Sequence, residues 1–417
     1  MKKSLKEAEI YLVTGTACFK VEEGRISVVG AELLPGKEVT VPSGKKVPLE
    51  VLEDSSIDYM TQGEGGLQPL PERTIPETWD ELVERLSSSG IRIVLVLGEV
   101  DTGKTFFSTY ISNRLTARHR RVAVLDGDTG QSDIGPPGTL GLAVLKEGVP
   151  FLSEIPPEAL YFTGSHSPSV HFLPSLVGVK RLVDRGLSLA DMVIIDTPGW
   201  VQGDGGRALR RSEIEMLSPD MIILLQRQGE LEHLVKNYSR EKVVRIHVSM
   251  KASSTSPGVR KSLRELLSQK YFQKAREMVL PFSDFETDRV YWKTGTEIST
   301  ECPHCLWVER LSGWEGALVV GQQRLSHEEI KRLKEEIKVS RIKEIVKGKE
   351  RGVVVGLLNQ ESDVQGLGII EEIDFKERNL RLLTPVTNRE RIRIVQFGSL
   401  KLSPEGQEMG FIEPGYF

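Results

Sequence analysis

Three cysteines in 417 residues are too few for a disulfide framework, and that scarcity fits a reducing compartment. Long apolar runs are also missing, since no segment approaches the roughly 20 residues a helix needs to cross a bilayer. The N-terminus, MKKSLKEAEIYLVTGTACF, begins with lysines but meets acidic residues before any apolar stretch, which makes a poor signal peptide. A soluble, cytoplasmic protein with no membrane partner is expected. Neither sign of charge dominates. The 55 Lys and Arg stand against 59 Asp and Glu, a net charge of −4, so no overall basic field announces a nucleic-acid binder. No repeat of fixed period and no low-complexity tract is found, and 39% apolar with 27% charged residues is globular composition.

A chain of this length fits two or three domains. Residues 10–59 alternate apolar and polar positions between turn signals such as Glu23-Gly24, Pro35-Gly36 and Ser43-Gly44, the pattern of a small β-domain. GEGGLQPLPERTIP follows as a Gly/Pro-rich connector, and residues 77–88 carry helical spacing. From residue 91 onward, IRIVLVL, VAVLD, MVIID, MIILL and VVRIHV alternate with helical stretches. Apolar runs without polar alternation are what parallel strands covered on both faces look like. The expected fold class is therefore α/β. A central domain with a mostly parallel, doubly wound sheet spans 73–288, an N-terminal β-domain spans 1–72, and a β-rich C-terminal domain spans 289–417. In the last of these, one charged helix is expected over 326–347 and strands around 352–358, 366–373 and 391–397.

Directly after IRIVLVL comes GEVDTGKT, followed by FFSTYISNRL with helical spacing. This is G-x-x-x-x-G-K-[ST] in its strand, loop, helix context. Gly98 and Gly103 let the backbone curl so that successive N–H groups face phosphate oxygens, and the helix N-terminus adds partial positive charge. Lys104 reaches β- and γ-phosphates, and the Thr105 hydroxyl suits a Mg²⁺ position. The nucleotide-binding candidates are Gly98, Glu99, Val100, Asp101, Thr102, Gly103, Lys104, Thr105 and Phe106.

The strand RVAVL runs into DGDTGQSD, and ligands of open α/β sheets gather at strand carboxyl ends, which places Asp126 and Asp128 beside this loop. Acids there bind Mg²⁺ or deprotonate an attacking group; an Asx-turn is the alternative reading. Asp196 ends MVII and opens DTPGW, an arrangement in which the carboxylate faces the metal. Asp126, Asp196 and Thr105 are thus the metal candidates. DTPG also looks like the γ-phosphate switch of GTPases, but the guanine-reading N/T-K-x-D element is missing. Trp200 reads either as a base-stacking platform or as a core tryptophan.

Together these residues resemble the polynucleotide 5′-hydroxyl-kinase family of cleavage-factor and ribosomal-RNA-processing proteins, whose archaeal members are stand-alone RNA kinases. The resemblance rests on an ordered set: the phosphate loop, D-x-G-Q at 128–131, F-x-G-x-x-S-P in FTGSHSP at 162–168, T-x-G-W at 197–200 and R-x-x-x-R at 260–264. It covers about the first 285 residues, and GLLNQ and FGSLKLSPEG extend it to the archaeal members. The resemblance implies ATP and Mg²⁺ as cofactors and a 5′-hydroxyl end of RNA or DNA as substrate. It makes Asp128 the general base, with Lys104 on the phosphates. Gln131, Thr197, Gly199 and Trp200 become a substrate clasp, and Arg260 and Arg264 a lid over the transferring phosphate. The lid falls in a basic stretch, 236–276, that carries 11 Lys or Arg and only Glu241 and Glu265 as acids. Phosphoryl transfer needs such cations at the equatorial oxygens more than it needs covalent chemistry. His166 departs from the family, which often has Thr there, and at Asp196 several relatives carry Asn.

Two other functions compete with kinase activity: a nucleotide-switch GTPase or metallochaperone, and an RNA-processing assembly factor with structural ATP. Cys302-Pro303-His304-Cys305 reads as half a zinc site or as a turn between strands, because a closed site needs four ligands.

Overall fold

The computed structural model describes residues 1–88, 90–248 and 256–417. Lys251 of the basic stretch lies outside the described residues. The central sheet has the strand order Ala159–Phe162, Thr139–Leu145, Val122–Asp126, Met192–Asp196, Ile93–Gly98, Met221–Gln226, Val243–His247. The strands from Val122–Asp126 onward in that order are parallel, and the first two form an antiparallel edge. Alternate residues along each parallel strand enter different cores. Val94, Val96, Val122, Val124, Ile194 and Ile223 meet helices Glu77–Ser88 and Lys104–Thr116, whereas Leu95, Leu97, Leu125, Val193, Ile195 and Leu224 meet Phe172–Leu189 and Gly203–Leu217. Coverage of both faces is the physical reason these strands read as unbroken apolar runs.

The N-terminal domain is two β-sheets, of four and five strands. Its strands extend past 10–59 on both sides, to Lys2–Leu5 and Gly66–Leu70. Part of the supposed connector is thus an edge strand beside Ile10–Thr14, and an edge strand is where a proline such as Pro69 is tolerated. Arg73 ties this domain to the central one, donating to Glu50 Oε1 at 2.8 Å, Asp80 Oδ2 at 2.5 Å and the Tyr110 hydroxyl at 3.0 Å. Asn113 of the phosphate-loop helix also donates to the Val29 carbonyl at 2.9 Å.

In the C-terminal domain the main sheet runs Arg276–Pro281, Asn379–Thr384, Val364–Asp374, Val353–Leu358, Ile394–Leu402, Glu286–Asp288, with Glu408–Phe411 paired to Ile394–Leu402. Two strands within the expected central span, Arg276–Pro281 and Glu286–Asp288, therefore belong to this sheet. The expected helix over 326–347 is a helix, His327–Ile337, and then a strand, Arg341–Val346. Lys338 in a left-handed conformation (φ 54°) ends the helix, and the Ser326/Glu329 capping box starts it. Among the described residues no helix is long and apolar enough to cross a membrane.

Candidate active site

Gly98, Asp126 and Asp196 are the last residues of three adjacent parallel strands. In register, Asp196 lies between Val96 on one side and Asp126 on the other. After Gly98 the chain curls through Asp101 (φ 59°) and Gly103 (φ 83°) into helix Lys104–Thr116. A Cβ on Gly98 would stand 2.5 Å from Thr102 Oγ1, so a side chain there would spread the loop. Lys104 is 8% exposed, and its Nζ donates to the Glu99 carbonyl at 2.7 Å. Burial lowers its pKa, opposed by the fields of Asp196 and Asp128. Val100 is exposed, while Phe106 packs on Trp79, with ring centroids 5.9 Å apart.

The three acids differ in what they bond. Asp126 Oδ1 accepts from the Asp128 N–H at 3.0 Å. Its Oδ2 accepts from Ser132 Oγ and from the N–H groups of Asp133 and Ile134, at 3.2, 2.6 and 3.0 Å. This carboxylate organises the loop that carries Asp128. Asp128 Oδ1 accepts from the Gly130 and Gln131 N–H groups at 2.9 and 3.0 Å, an Asx-turn, and its Oδ2 has no hydrogen bond among the described residues. Asp196 Oδ2 accepts from Thr105 Oγ1 at 2.6 Å, whereas its buried Oδ1 has no partner among the described residues. Burial pushes the Asp196 carboxyl up to about 7, against the pull of Lys104 and of the Thr105 hydroxyl.

The T-x-G-W segment presses on the phosphate loop. A Cβ on Gly199 would stand 2.5 Å from the Val100 nitrogen, so only glycine permits this approach. The Thr197 hydroxyl is turned away, donating to the Val96 carbonyl at 2.7 Å. Trp200 is half-buried. It lies over Gly205 and Gly206, with Phe172 edge-on at 6.4 Å, so it is neither a core residue nor a free one. Gln131 Nε2 is buried without a partner among the described residues. Helix Pro257–Phe272, capped by Ser256, carries the two arginines. Arg260 Nη1 is 3.5 Å from Asp101 Oδ2, and Arg264 is held elsewhere, by Glu408 of the C-terminal domain.

Two residues near the site escaped the sequence reading. Arg210 is 1% exposed and pairs at 2.5 Å with equally buried Glu213. Burial lowers the pKa of Arg210, while the fields of Glu213 and Asp128 oppose the shift. Its spacing among the buried positions Gly206, Arg210, Glu213 and Leu217 of its helix was the available signal. Glu408 had none, being a lone acid on a hairpin 144 residues from its arginine. Cys302 and Cys305 are free thiols bracketing a turn closed by the Cys305 N–H on the Cys302 carbonyl. Among the described residues no group of three or more His, Cys, Asp or Glu is placed to hold a metal.

Residues 98–274 match the family model described as mRNA cleavage and polyadenylation factor CLP1 P-loop. The chain is 33% identical to a polyribonucleotide 5′-hydroxyl-kinase of Pyrococcus furiosus, over 81% of this chain and 96% of that one. It is 31% identical to the protein of the same name from Methanocaldococcus jannaschii, over 77% and 90%. A solved structure of a wild-type Clp1p–Pcf11p complex superposes with a TM-score of 0.64 over 96% of this chain and 97% of that one, at 16% identity, a likeness of fold. Identity of 31% to 33% across 90% to 96% of these archaeal relatives means that the chain belongs to the polyribonucleotide 5′-hydroxyl-kinase family.

Proposed function

We propose that this protein transfers the γ-phosphoryl group of ATP to the 5′-hydroxyl end of RNA. The observation that carries the reading is the gathering, at the carboxyl ends of neighbouring parallel strands, of a phosphate-loop lysine, a Thr105–Asp196 pair and an aspartate, Asp128, with one oxygen uncommitted. Asp128 acts as the base. Backbone donors fix its Oδ1, so Oδ2 is the atom that takes the proton of the 5′-hydroxyl. The freed oxygen forms a bond to the γ-phosphorus, the bond from that phosphorus to the β,γ-bridging oxygen breaks, and ADP leaves. Lys104 turns from the Glu99 carbonyl to the phosphates and, with Arg260 and Arg264, offsets the charge spread over the transferring group. Asp126 positions the base through the loop backbone in place of binding metal.

The residues present fit Mg²⁺, because the unpartnered Asp196 Oδ1 and the Thr105 hydroxyl are hard oxygen donors side by side. An ion there would neutralise charge on the β- and γ-phosphate oxygens.

Trp200 is assigned to the 5′-terminal base, on which a half-exposed indole beside the clasp can stack. Trp200→Ala is expected to weaken RNA affinity by about ten-fold, since such stacking contributes roughly 1–3 kcal/mol per base. ATP affinity should stay nearly constant, and titration of both ligands checks the pair. Losing both affinities together with thermal stability would mark a packing role instead.

ADP release, measured with and without an oligoribonucleotide carrying a 5′-hydroxyl, tests the reaction class. A kinase releases ADP only with that acceptor. A nucleotide switch, the reading DTPG invites, consumes GTP selectively and without any acceptor.

A further inference from the structure

A carboxylate of the C-terminal domain reaches the arginine-bearing helix Pro257–Phe272. Glu408, on hairpin strand Glu408–Phe411, accepts from Arg264 Nε at Oε1 (2.7 Å) and from Arg264 Nη2 at Oε2 (3.3 Å). His166 Nδ1 of the FTGSHSP segment stands 3.2 Å from the same Oε1. The Glu408 side chain is 12% exposed and that of Arg264 20%. Burial alone would raise the Glu408 pKa, but His166 and Arg264 outweigh it and hold the carboxyl down at about 2, so Glu408 is a carboxylate at neutral pH. The backbone supports this placement. The Glu408 N–H donates to Glu265 Oε1 at 3.1 Å, and Gly406 lies so close that a Cβ would stand 2.8 Å from the Gln269 nitrogen. The hairpin is therefore seated on the arginine-bearing helix.

The same domain clamps the FTGSHSP segment. Arg289 donates to the Thr163 and Phe162 carbonyls at 2.8 and 2.9 Å, and the Ser399 N–H donates to the Gly164 carbonyl at 2.8 Å. From there the Thr163 N–H reaches the Gly138 carbonyl, and the Gly138 N–H reaches Thr129 in the Asp128 loop, both at 2.9 Å. A guanidinium is a rigid planar fork, so fixing one edge aims the other. Glu408 occupies the Nε and Nη2 edge, and Nη1 has no hydrogen bond among the described residues.

We propose that Glu408 is a positioning residue for phosphoryl transfer, holding the Arg264 guanidinium so that Nη1 meets the transferring phosphate, and that the C-terminal domain thereby completes the active site. This rests on the kinase reading above. The test is a double-mutant cycle on the full chain, with labelled phosphate transfer as the readout. Glu408→Ala is expected to lower kcat by about ten- to a hundred-fold, the scale set by loss of orientation, while KM for ATP stays nearly unchanged. Glu408→Gln, which keeps an acceptor but not the charge, should fall between the two and covers the case in which the alanine variant fails to fold. In an Arg264→Ala background, adding either substitution should cause no further loss, because the residue being oriented is gone. Equal losses in both backgrounds, no loss at all, or faster turnover by Glu408→Gln would overturn the proposal. A wild-type protein that never phosphorylates a 5′-hydroxyl would instead overturn the kinase reading itself.

Discussion

Lys104→Ala loses nearly all phosphoryl transfer, by a factor on the order of 10³, with the fold retained. The ammonium sits at the foot of the phosphate loop, and its only hydrogen bond among the described residues is to the Glu99 carbonyl, so it can be exchanged for phosphate oxygens without breaking a structural network. Its value lies in meeting charge that grows as the γ-phosphoryl group moves, a term felt more in kcat than in KM. The check is kcat together with a thermal melt of the variant. Normal turnover by a folded Lys104→Ala protein would take the phosphate loop out of the mechanism.

Asp128→Asn is expected to lower the rate by about 100-fold or more and to leave ATP affinity nearly unchanged. The substitution is well matched to the geometry. Its carboxamide oxygen can still accept from the Gly130 and Gln131 N–H groups, so the turn survives, while an amide nitrogen replaces the oxygen that takes the proton. The outcome also separates two roles. If ATP binding in the presence of Mg²⁺ collapsed while the residual complex turned over at the normal rate, Asp128 would be a metal ligand and not the base.

How much of this was legible in the sequence depended on distance along the chain. The phosphate loop, Lys104 and Thr105 are contiguous, and their chemistry is fixed by local backbone shape. The parallel strands were legible because burial on both faces removes polar residues from them. The antiparallel edge strands Thr139–Leu145 and Ala159–Phe162 follow a Gly/Pro-rich segment and carry no distinctive period. The resemblance made Asp128 the base and left Asp126 among the metal candidates, but DGDTGQSD does not show what each carboxylate bonds. The donors around them, from Ser132, Asp133 and Ile134 to Asp126 and from Gly130 and Gln131 to Asp128, make the first a loop anchor and leave one oxygen of the second uncommitted. Strand Arg276–Pro281 pairs with Asn379–Thr384, about a hundred residues later, and pairing at that separation leaves no local trace. The same is true of Arg264 and Glu408.

The central claim is that the γ-phosphate of ATP ends on a 5′-terminal oxygen. The direct measurement is incubation with γ-labelled ATP and an oligoribonucleotide, followed by digestion to mononucleotides and identification of the labelled one. The account predicts label confined to the 5′-terminal nucleotide, absent when the oligonucleotide already carries a 5′-phosphate and lost with Lys104→Ala. Label released only as free phosphate, with none recovered on the oligonucleotide, would contradict it.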